Sequence, residues 1–548
     1  MKPVTNSGKG LLIIIDGLGL SEKTEDSPLK YANTPFLDNL NYKKIVAVGP
    51  RVGMTEDAMG STAVGHEVMS GVDYVHPMVR VGKDIKKGVI RNKSIDGVLE
   101  KVSSRKKALH LMGLVSTNRE HSDIRHLYAI MRRAVQKGVK QIYIHFFADG
   151  RGTPPFSAVR FAEDLQIKGE EIGAKKTTVD IATLSGRDIS MNRSTDSWYK
   201  TIKTYRAIME GEALEEDNVF KALKKDYEEK ITDQYIKVRV LGDYDGVSEG
   251  DALFHWNFRK DRASMLMKVF LKPERELQKI IGEENFKKLD KKDLDLSTLD
   301  FGALVEYYRD ISCPVAYKDL PQKHSLGSML EDFGYTQYRI SGMDKKQAVV
   351  LLSGGSREEP FEHEHRVVVP LPDKMEKYME EYEDKKGQTG FKKNPYEKFP
   401  EIELPRLTDK IIETLNHSEP KFFGIVNIAN PDMVGHTANK DAAVKAIEKI
   451  DSSLKKIIRQ AEKTDTMVFI TADHGNLEEL LTDDDTPSTF HTQNPVPFAV
   501  KDPLGKDVKI REGGCLKDVA PTVLYAMEPD RKKDIEEKLK GEILIDER

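Results

Sequence analysis

The apolar run Thr466-Met467-Val468-Phe469-Ile470 stops at Thr471-Ala472-Asp473-His474-Gly475-Asn476, where an acid and an imidazole sit side by side before a glycine. A short aliphatic and aromatic run bounded in this way reads as a buried strand, and α/β enzymes place their chemistry at the carboxyl ends of such strands. Three other segments are built alike. Leu11-Leu12-Ile13-Ile14-Ile15 delivers Asp16 and Gly17, and Phe423-Gly424-Ile425-Val426-Asn427 runs on to Asn430-Pro431-Asp432-Met433-Val434-Gly435-His436. His491 precedes Thr492-Gln493-Asn494-Pro495-Val496-Pro497 and the apolar Phe498-Ala499-Val500. One acid lies near the amino end and the rest beyond residue 430, so a single site built from them needs a discontinuous domain.

Asp16, Asp432, His436, Asp473, His474 and His491 supply carboxylate oxygen and imidazole nitrogen in numbers sufficient for two divalent cations. Singly, each has a plainer reading: an Asp after a strand is most often a cap or a turn residue, and a lone His is surface or core. Capping does not account for six at strand ends. Asp432 and His436 carry the i, i+4 spacing of one helical face, and Gly435 leaves a tight loop equally open. No cysteine belongs to the set, which argues against a structural zinc knot. A fifth segment, Met59-Gly60-Ser61-Thr62-Ala63-Val64-Gly65-His66, sets hydroxyls among small residues at the expected start of a helix. In isolation that is an N-cap; beside two metals it reads as an activated nucleophile, with helix amides to favour a phosphate.

These motifs resemble the cofactor-independent (2,3-bisphosphoglycerate-independent) phosphoglycerate mutases of the alkaline phosphatase superfamily. The similarity continues through Leu114-Val115-Ser116 with His121-Ser122, Asp149-Gly150-Arg151, Leu184-Ser185-Gly186-Arg187 with Met191-Asn192-Arg193, and Asn257-Phe258-Arg259-Lys260-Asp261-Arg262. The resemblance implies an alkaline-phosphatase-like doubly wound α/β domain with a second α/β domain inserted. It implies one metal on Asp432, His436 and His491 and a second on Asp16, Thr62, Asp473 and His474. The ions expected are manganese, with magnesium, cobalt or zinc as alternatives. His121, Arg151, Arg187, Arg193, Arg259, Arg262 and Lys345 match substrate-binding positions, and guanidinium forks suit the phosphate and carboxylate of a phosphorylated glycerate. The implied activity is interconversion of 3- and 2-phosphoglycerate through a phosphothreonine on Thr62, with His121 the remaining candidate for proton transfer.

The chain departs from that family at the reacting centre. Where the family has Asn-Ser-Glu, this chain has Ser61-Thr62-Ala63; the family's Asp-Gly-Arg-Asp is Asp149-Gly150-Arg151-Gly152, and Ser70-Gly71-Val72-Asp73 replaces Gly-Ala-Gly-Arg. Threonine serves as nucleophile in related phosphopentomutases and phosphodiesterases. The lost Asp in the family sits on the substrate hydroxyls, where a mutase moves a proton. A changed substrate or acceptor therefore stands as the alternative: transfer of a phosphonate or phosphate to or from a glycerate-like molecule, or a phosphomonoesterase. A non-catalytic binding protein ranks last, because it has no need of the whole ligand set.

At 548 residues the chain should form more than one core. We expect a metal-binding domain from 1–79 and 316–548 around an inserted substrate domain, 80–315, whose strand-like Ala108–Met112 and Gln141–His145 alternate with a helical Leu127–Lys137. A formal net charge of -4 gives no basic signal for nucleic acid. No apolar run approaches the ~20 residues of a membrane span, and the polar start Met1–Asn6 is unlike a signal peptide. Two cysteines, Cys313 and Cys515, suit a reducing cytoplasm. A cytoplasmic monomer is expected. The charged runs 287–293, 375–386 and 530–540 read as solvated helix faces or loops.

Overall fold

The computed structural model describes residues 8–21, 27–289, 296–318, 323–352, 357, 359–385, 393–482, 486–506 and 508–546. The chain separates into two compact units, Met1–His76 with Pro321–Arg548, and Pro77–Leu320. The crossings expected near 80 and 315 thus fall at 76/77 and 320/321.

The first unit is built on a seven-stranded sheet. Its strands are β1 (Lys9–Ile15), β2 (Tyr42–Ile45), β3 (Thr336–Gly342), β4 (Glu364–Val369), β5 (Phe422–Ile428), β6 (Met467–Thr471) and β7 (Val496–Lys501), in spatial order β4-β3-β5-β1-β6-β7-β2. The five from β4 to β6 run parallel; β7 and β2 add antiparallel at one edge. β1, β5 and β6 are continuous apolar runs because both faces of a central parallel strand are covered, which leaves no polar side to alternate with. Register pairs Ile13 with Val426 on one side and with Ile470 on the other, so the residues that follow these strands emerge at one end of the sheet. Helix α1 (Thr62–Met69) begins after extended Ser61, whose side chain makes no capping bond. Helix α2 (Asn430–Gly435) starts with Pro431 in its first turn. Helix α3 (Lys440–Lys463) opens where the Asn439 side chain accepts from the Ala442 amide, and it buries Ile447, Ile450, Leu454, Ile457 and Ala461, three to four residues apart, against the sheet's apolar core.

The second unit carries an eight-stranded sheet in the order Val315–Tyr317, Asp300–Val305, Ala252–His255, Ala108–Val115, Gln141–Ala148, Thr178–Gly186, Arg239–Leu241 and Leu214–Glu216. The pairing is parallel except between Thr178–Gly186 and Arg239–Leu241. Helix Ile124–Gln136 occupies the stretch expected to be helical. Of the charged runs, Glu283–Lys287, Asp373–Lys385 and Lys532–Lys538 are helical, whereas Asp290 to Asp293 and Lys386 lie outside the described residues, as does Met1–Asn6. No helix among the described residues is long and apolar enough to cross a membrane.

His255 shows how polar groups sit in this second core. It is fully buried against Tyr307 and Phe147, and its Nδ1 lies 3.1 Å from the Tyr307 hydroxyl. Burial pushes its pKa from 6.5 down to about 3. The folded ring is neutral while the unfolded one titrates near 6.5, so its contribution to stability is complete above that pH and is lost as pH falls toward 3. His255→Gln should therefore flatten the acid dependence of stability by up to about 1.4 kcal/mol per pH unit in that window, measured by urea denaturation across it. An unchanged slope would mean that the ring already ionises in the folded protein.

Candidate metal centre and arginine pocket

β1 carries Asp16 out of the sheet, and its amide bonds to the Ile428 carbonyl of β5 at 3.0 Å. Gly17 follows with φ 80°, and a Cβ there would lie 2.6 Å from the Asp432 Cα, so only glycine lets the two chains approach. The Gly17 amide donates to Asp473 Oδ1 at 3.2 Å. Asp432 belongs to α2 and His436 caps it, so the four-residue spacing lies on a helical turn; His436 Nε2 is 3.3 Å from Asp432 Oδ1. His491 brings its Nε2 to 3.0 Å from the same oxygen and 3.3 Å from His436 Nε2.

Asp432, His436 and His491 form one cluster, and Asp16, Asp473 and His474 a second; in each the ligand atoms lie within 4.8 Å of one another. The rings of His474 and His491 stack at 3.9 Å. Backbone carbonyls fix the imidazoles: His436 Nδ1 is 2.7 Å from Thr489 O, and His491 Nδ1 is 2.8 Å from Gly60 O. With each Nδ1 turned to a carbonyl, both Nε2 atoms converge on the Asp432 oxygen, where carboxylate and imidazole together can share one divalent cation. This donor set fits two divalent cations.

Thr62, the first residue of α1, points its hydroxyl into the centre: Oγ1 is 2.8 Å from His474 Nε2 and 3.2 Å from Lys345 Nζ. Lys345, expected among the substrate ligands, places its ammonium 2.7 Å from both Asp16 Oδ1 and Asp432 Oδ2. Burial, then the Asp473 carboxylate, pushes Asp16 up to about 6. Burial alone would raise Asp432 too, but Lys345 and the two imidazoles hold it well below the usual carboxylate range. Burial also pushes His474 down to about 3, leaving a neutral ring whose Nε2 faces the Thr62 hydroxyl.

Several supporting residues escaped the sequence reading. Asn427, the penultimate residue of β5, donates to Asp16 Oδ2 at 2.7 Å, and Asn476 donates to Asp432 Oδ1 at 2.9 Å. His66, one turn along α1 from Thr62, has Nδ1 3.3 Å from Asp473 Oδ2. Glu478 is buried and accepts from the amides of Gly19 (3.0 Å) and Asn476 (2.9 Å), from Asn494 Nδ2 (2.9 Å) and from the Thr492 hydroxyl, tying together the loops after β1, after β6 and around His491. An acid between Leu477 and Leu480, both buried, was the available signal.

The second unit gathers the other predicted side chains at the ends of its strands. Asp149 accepts from Arg187 Nη1 at 2.5 Å and from the Ser116 hydroxyl at 2.7 Å. Arg259 Nη1 bonds Glu120 Oε1 at 2.8 Å, and its Nε lies 3.1 Å from Asp261. Arg193 Nη1 is 3.5 Å from Asp261, and Arg262 Nη1 donates to Met191 O at 3.2 Å. Burial, then Arg187 and Arg193, push Arg262 down to about 10; burial and Arg187 also lower Arg151. Guanidinium groups that lower one another's proton affinity in this way suit an anion as partner. His121 is 1% exposed with no hydrogen bond to either ring nitrogen among the described residues.

Because Glu478 satisfies two buried backbone donors, Glu478→Ala should lower stability by about 1 to 3 kcal/mol for each amide left without an acceptor. Urea denaturation of metal-stripped protein measures this directly, and a loss below about 1 kcal/mol in total would show that the loops stand without it.

Comparison with known proteins places these motifs in a family. The model of the BPG-independent PGAM N-terminus matches residues 81–307, and that of alkaline phosphatase matches 375–512. The 2,3-bisphosphoglycerate-independent phosphoglycerate mutase of Pseudomonas syringae pv. syringae is 34% identical over 535 residues, covering 96% of this chain and 97% of that protein. The enzyme of the same name from Clostridium botulinum is also 34% identical, over 94% and 96%. In fold, the crystal structure of Leishmania mexicana phosphoglycerate mutase at low cobalt concentration aligns with a TM-score of 0.75 at 24% identity, over 95% of each chain. The alkaline-phosphatase-like sheet with an inserted α/β unit, the ligand clusters and these full-length relatives agree: the chain belongs to the 2,3-bisphosphoglycerate-independent phosphoglycerate mutase family.

Proposed function

We propose that this protein interconverts 3- and 2-phosphoglycerate by way of a phosphothreonine on Thr62. The observation that carries this reading is the position of Thr62 Oγ1, within 3.2 Å of both Lys345 Nζ and His474 Nε2 and beside two carboxylate–imidazole clusters. Asp432, His436 and His491 would hold one divalent cation, and Asp16, Asp473, His474 and Thr62 the other; manganese is the ion proposed, with magnesium, cobalt and zinc as alternatives for a mixed oxygen and nitrogen set. Such cations, when bound, lower the pKa of a coordinated hydroxyl and neutralise phosphoryl oxygens.

The chain's own groups account for the remaining steps. Thr62 Oγ1, its proton given up to the centre's surroundings, forms a bond to phosphorus as the substrate's O–P bond breaks, and the oxygen released takes up a proton by way of His121, which draws it from the glycerate's other hydroxyl. Lys345 balances the carboxylates around that oxygen, and the first-turn amides of α1 add positive potential at the same place. Arg151, Arg187, Arg193, Arg259 and Arg262 retain the glycerate, whose second oxygen, its proton given up, takes the phosphoryl group back from Thr62. Gly152 favours one alternative, a phosphomonoesterase in which water is the acceptor, because no side chain at that position can shuttle the hydroxyl proton.

Two measurements test the assignment. Asp473→Ala and His491→Ala should each abolish turnover of 3-phosphoglycerate and reduce bound metal, read by elemental analysis; either variant with full metal and full rate would remove the two-cation reading. Protein quenched during turnover should carry a phosphoryl group on Thr62 by mass spectrometry. Thr62→Ala should be inactive yet still bind metal, with Thr62→Ser retaining function because its attacking oxygen survives. An adduct on Ser61 instead would shift the nucleophile by one residue, and release of inorganic phosphate without isomerisation would establish the phosphomonoesterase.

A further inference from the structure

Gly152 is not an open position. A Cβ added there would lie 2.0 Å from Asn118 Nδ2 and 2.6 Å from Asn118 Cγ, so here the Asn118 side chain occupies that space and would have to turn away for any larger residue. The backbones of the two loops are tied together: the Asn118 amide donates to Ser116 Oγ at 3.1 Å, the Gly152 amide donates to Asp149 Oδ1 at 3.1 Å, and Ser116 Oγ bonds the same Asp149. A carboxamide takes up no proton near neutral pH. Asp149 is itself committed to Arg187, Ser116 and the loop amides. The proton work expected of position 152 therefore has to come from elsewhere in the pocket.

Two residues beyond Asn118, Glu120 reaches into the arginine cluster. Its Oε1 lies 3.2 Å from His121 Nε2 and 2.8 Å from Arg259 Nη1, and its Oε2 lies 3.9 Å from Arg187 Nη2. Its side chain is 41% exposed, whereas that of His121 is 1% exposed. The charged groups facing His121 are Glu120, Asp261 and Arg259; Asp261 Oδ1 is 3.8 Å from Nδ1, beyond hydrogen-bond reach. A buried imidazole with a carboxylate 3.2 Å from Nε2 and no hydrogen-bond partner for Nδ1 among the described residues has one nitrogen held and the other open to act as acid or base.

We propose that Glu120 is a positioning residue for proton transfer in this pocket, holding the Nε2 proton of His121 so that Nδ1 serves as the base toward the glycerate hydroxyls. The inference rests on the mutase reading above. The ring starts neutral: Nδ1 takes the proton of the glycerate's free hydroxyl, whose O–H bond breaks as Nδ1–H forms, and passes that proton to the oxygen that gives up phosphorus, which leaves the first oxygen ready to accept the phosphoryl group and the second a hydroxyl. The transient imidazolium is balanced by the Glu120 carboxylate. Burial pushes His121 below its ordinary pKa and Glu120 is the largest influence opposing it, which keeps the ring a base at neutral pH without making it too weak to accept.

The test uses full-length wild type, Glu120→Gln and Glu120→Asp with magnesium bound. The His121 ring signal, assigned by its absence in His121→Asn, is titrated by NMR alongside kcat and KM for 3-phosphoglycerate across pH. Glu120→Gln keeps size and polarity while removing charge. It should lower the His121 midpoint by about one pH unit or more, carry the acid limb of kcat with it, and reduce kcat roughly a hundredfold with little change in KM. Glu120→Asp should recover much of both. A His121 midpoint that Glu120→Gln leaves in place, or a raised KM at full kcat, overturns the proposal and leaves Glu120 as an ion-pair partner of Arg259. Wild type that releases phosphate without isomerising would defeat the mutase reading separately, and the His121 midpoint would still decide whether Glu120 governs that ring.

Discussion

Three carboxylates, Asp16, Asp432 and Asp473, lie fully buried around one point, and their mutual repulsion is the constraint on which the first unit depends. Like charges in a medium of low dielectric are tolerated only where positive charge is supplied. The protein's own supply is the Lys345 ammonium, shared evenly between Asp16 and Asp432, with His66 beside Asp473. His474, which burial keeps neutral, adds a lone pair rather than charge beside Asp16 and Asp473. The same electrostatic demand, reversed in sign, shapes the second unit, where arginines lower one another's proton affinity and Asp149, Glu120 and Asp261 offset only part of the excess.

The sheet makes such a centre affordable by rigid placement. Parallel pairing of β1 with β5 and β6 fixes where Asp16, the Asp432 turn and Asp473 emerge, and Glu478 then joins the loops that follow. No single loop has to hold two like charges together, because each carboxylate is borne by a different buried strand or by the helix after it.

Much of this was legible in the sequence. Strands whose apolar character is nearly unbroken announce themselves, and six acids and imidazoles gathered around the ends of such strands are more than capping explains, although any one of them alone is not. Thr62 was readable as more than a cap, and Ser61 indeed makes no capping bond. What could not be read was pairing across distance. Glu478 looks like one acid among many until its four donors are seen, and Lys345 gives no hint that its ammonium sits between two carboxylates. Gly152 read as a loss, when the structure shows its space filled by Asn118 from another loop. Steric exchange between residues remote in the chain leaves no periodic or compositional trace.

The order of strands has a consequence for how the protein is made. β1 carries Leu11-Leu12-Ile13-Ile14-Ile15, and among the described residues the strands that pair with it are β5, at Phe422–Ile428, and β6, at Met467–Thr471. A ribosome therefore releases a highly apolar strand that has no mate in the nascent chain until the carboxyl-terminal third is synthesised, by which time all of Pro77–Leu320 is available to fold. Through that interval β1 is an unpaired strand edge exposed to chaperones or to other chains, a hazard that lengthens with the time taken to translate the inserted unit.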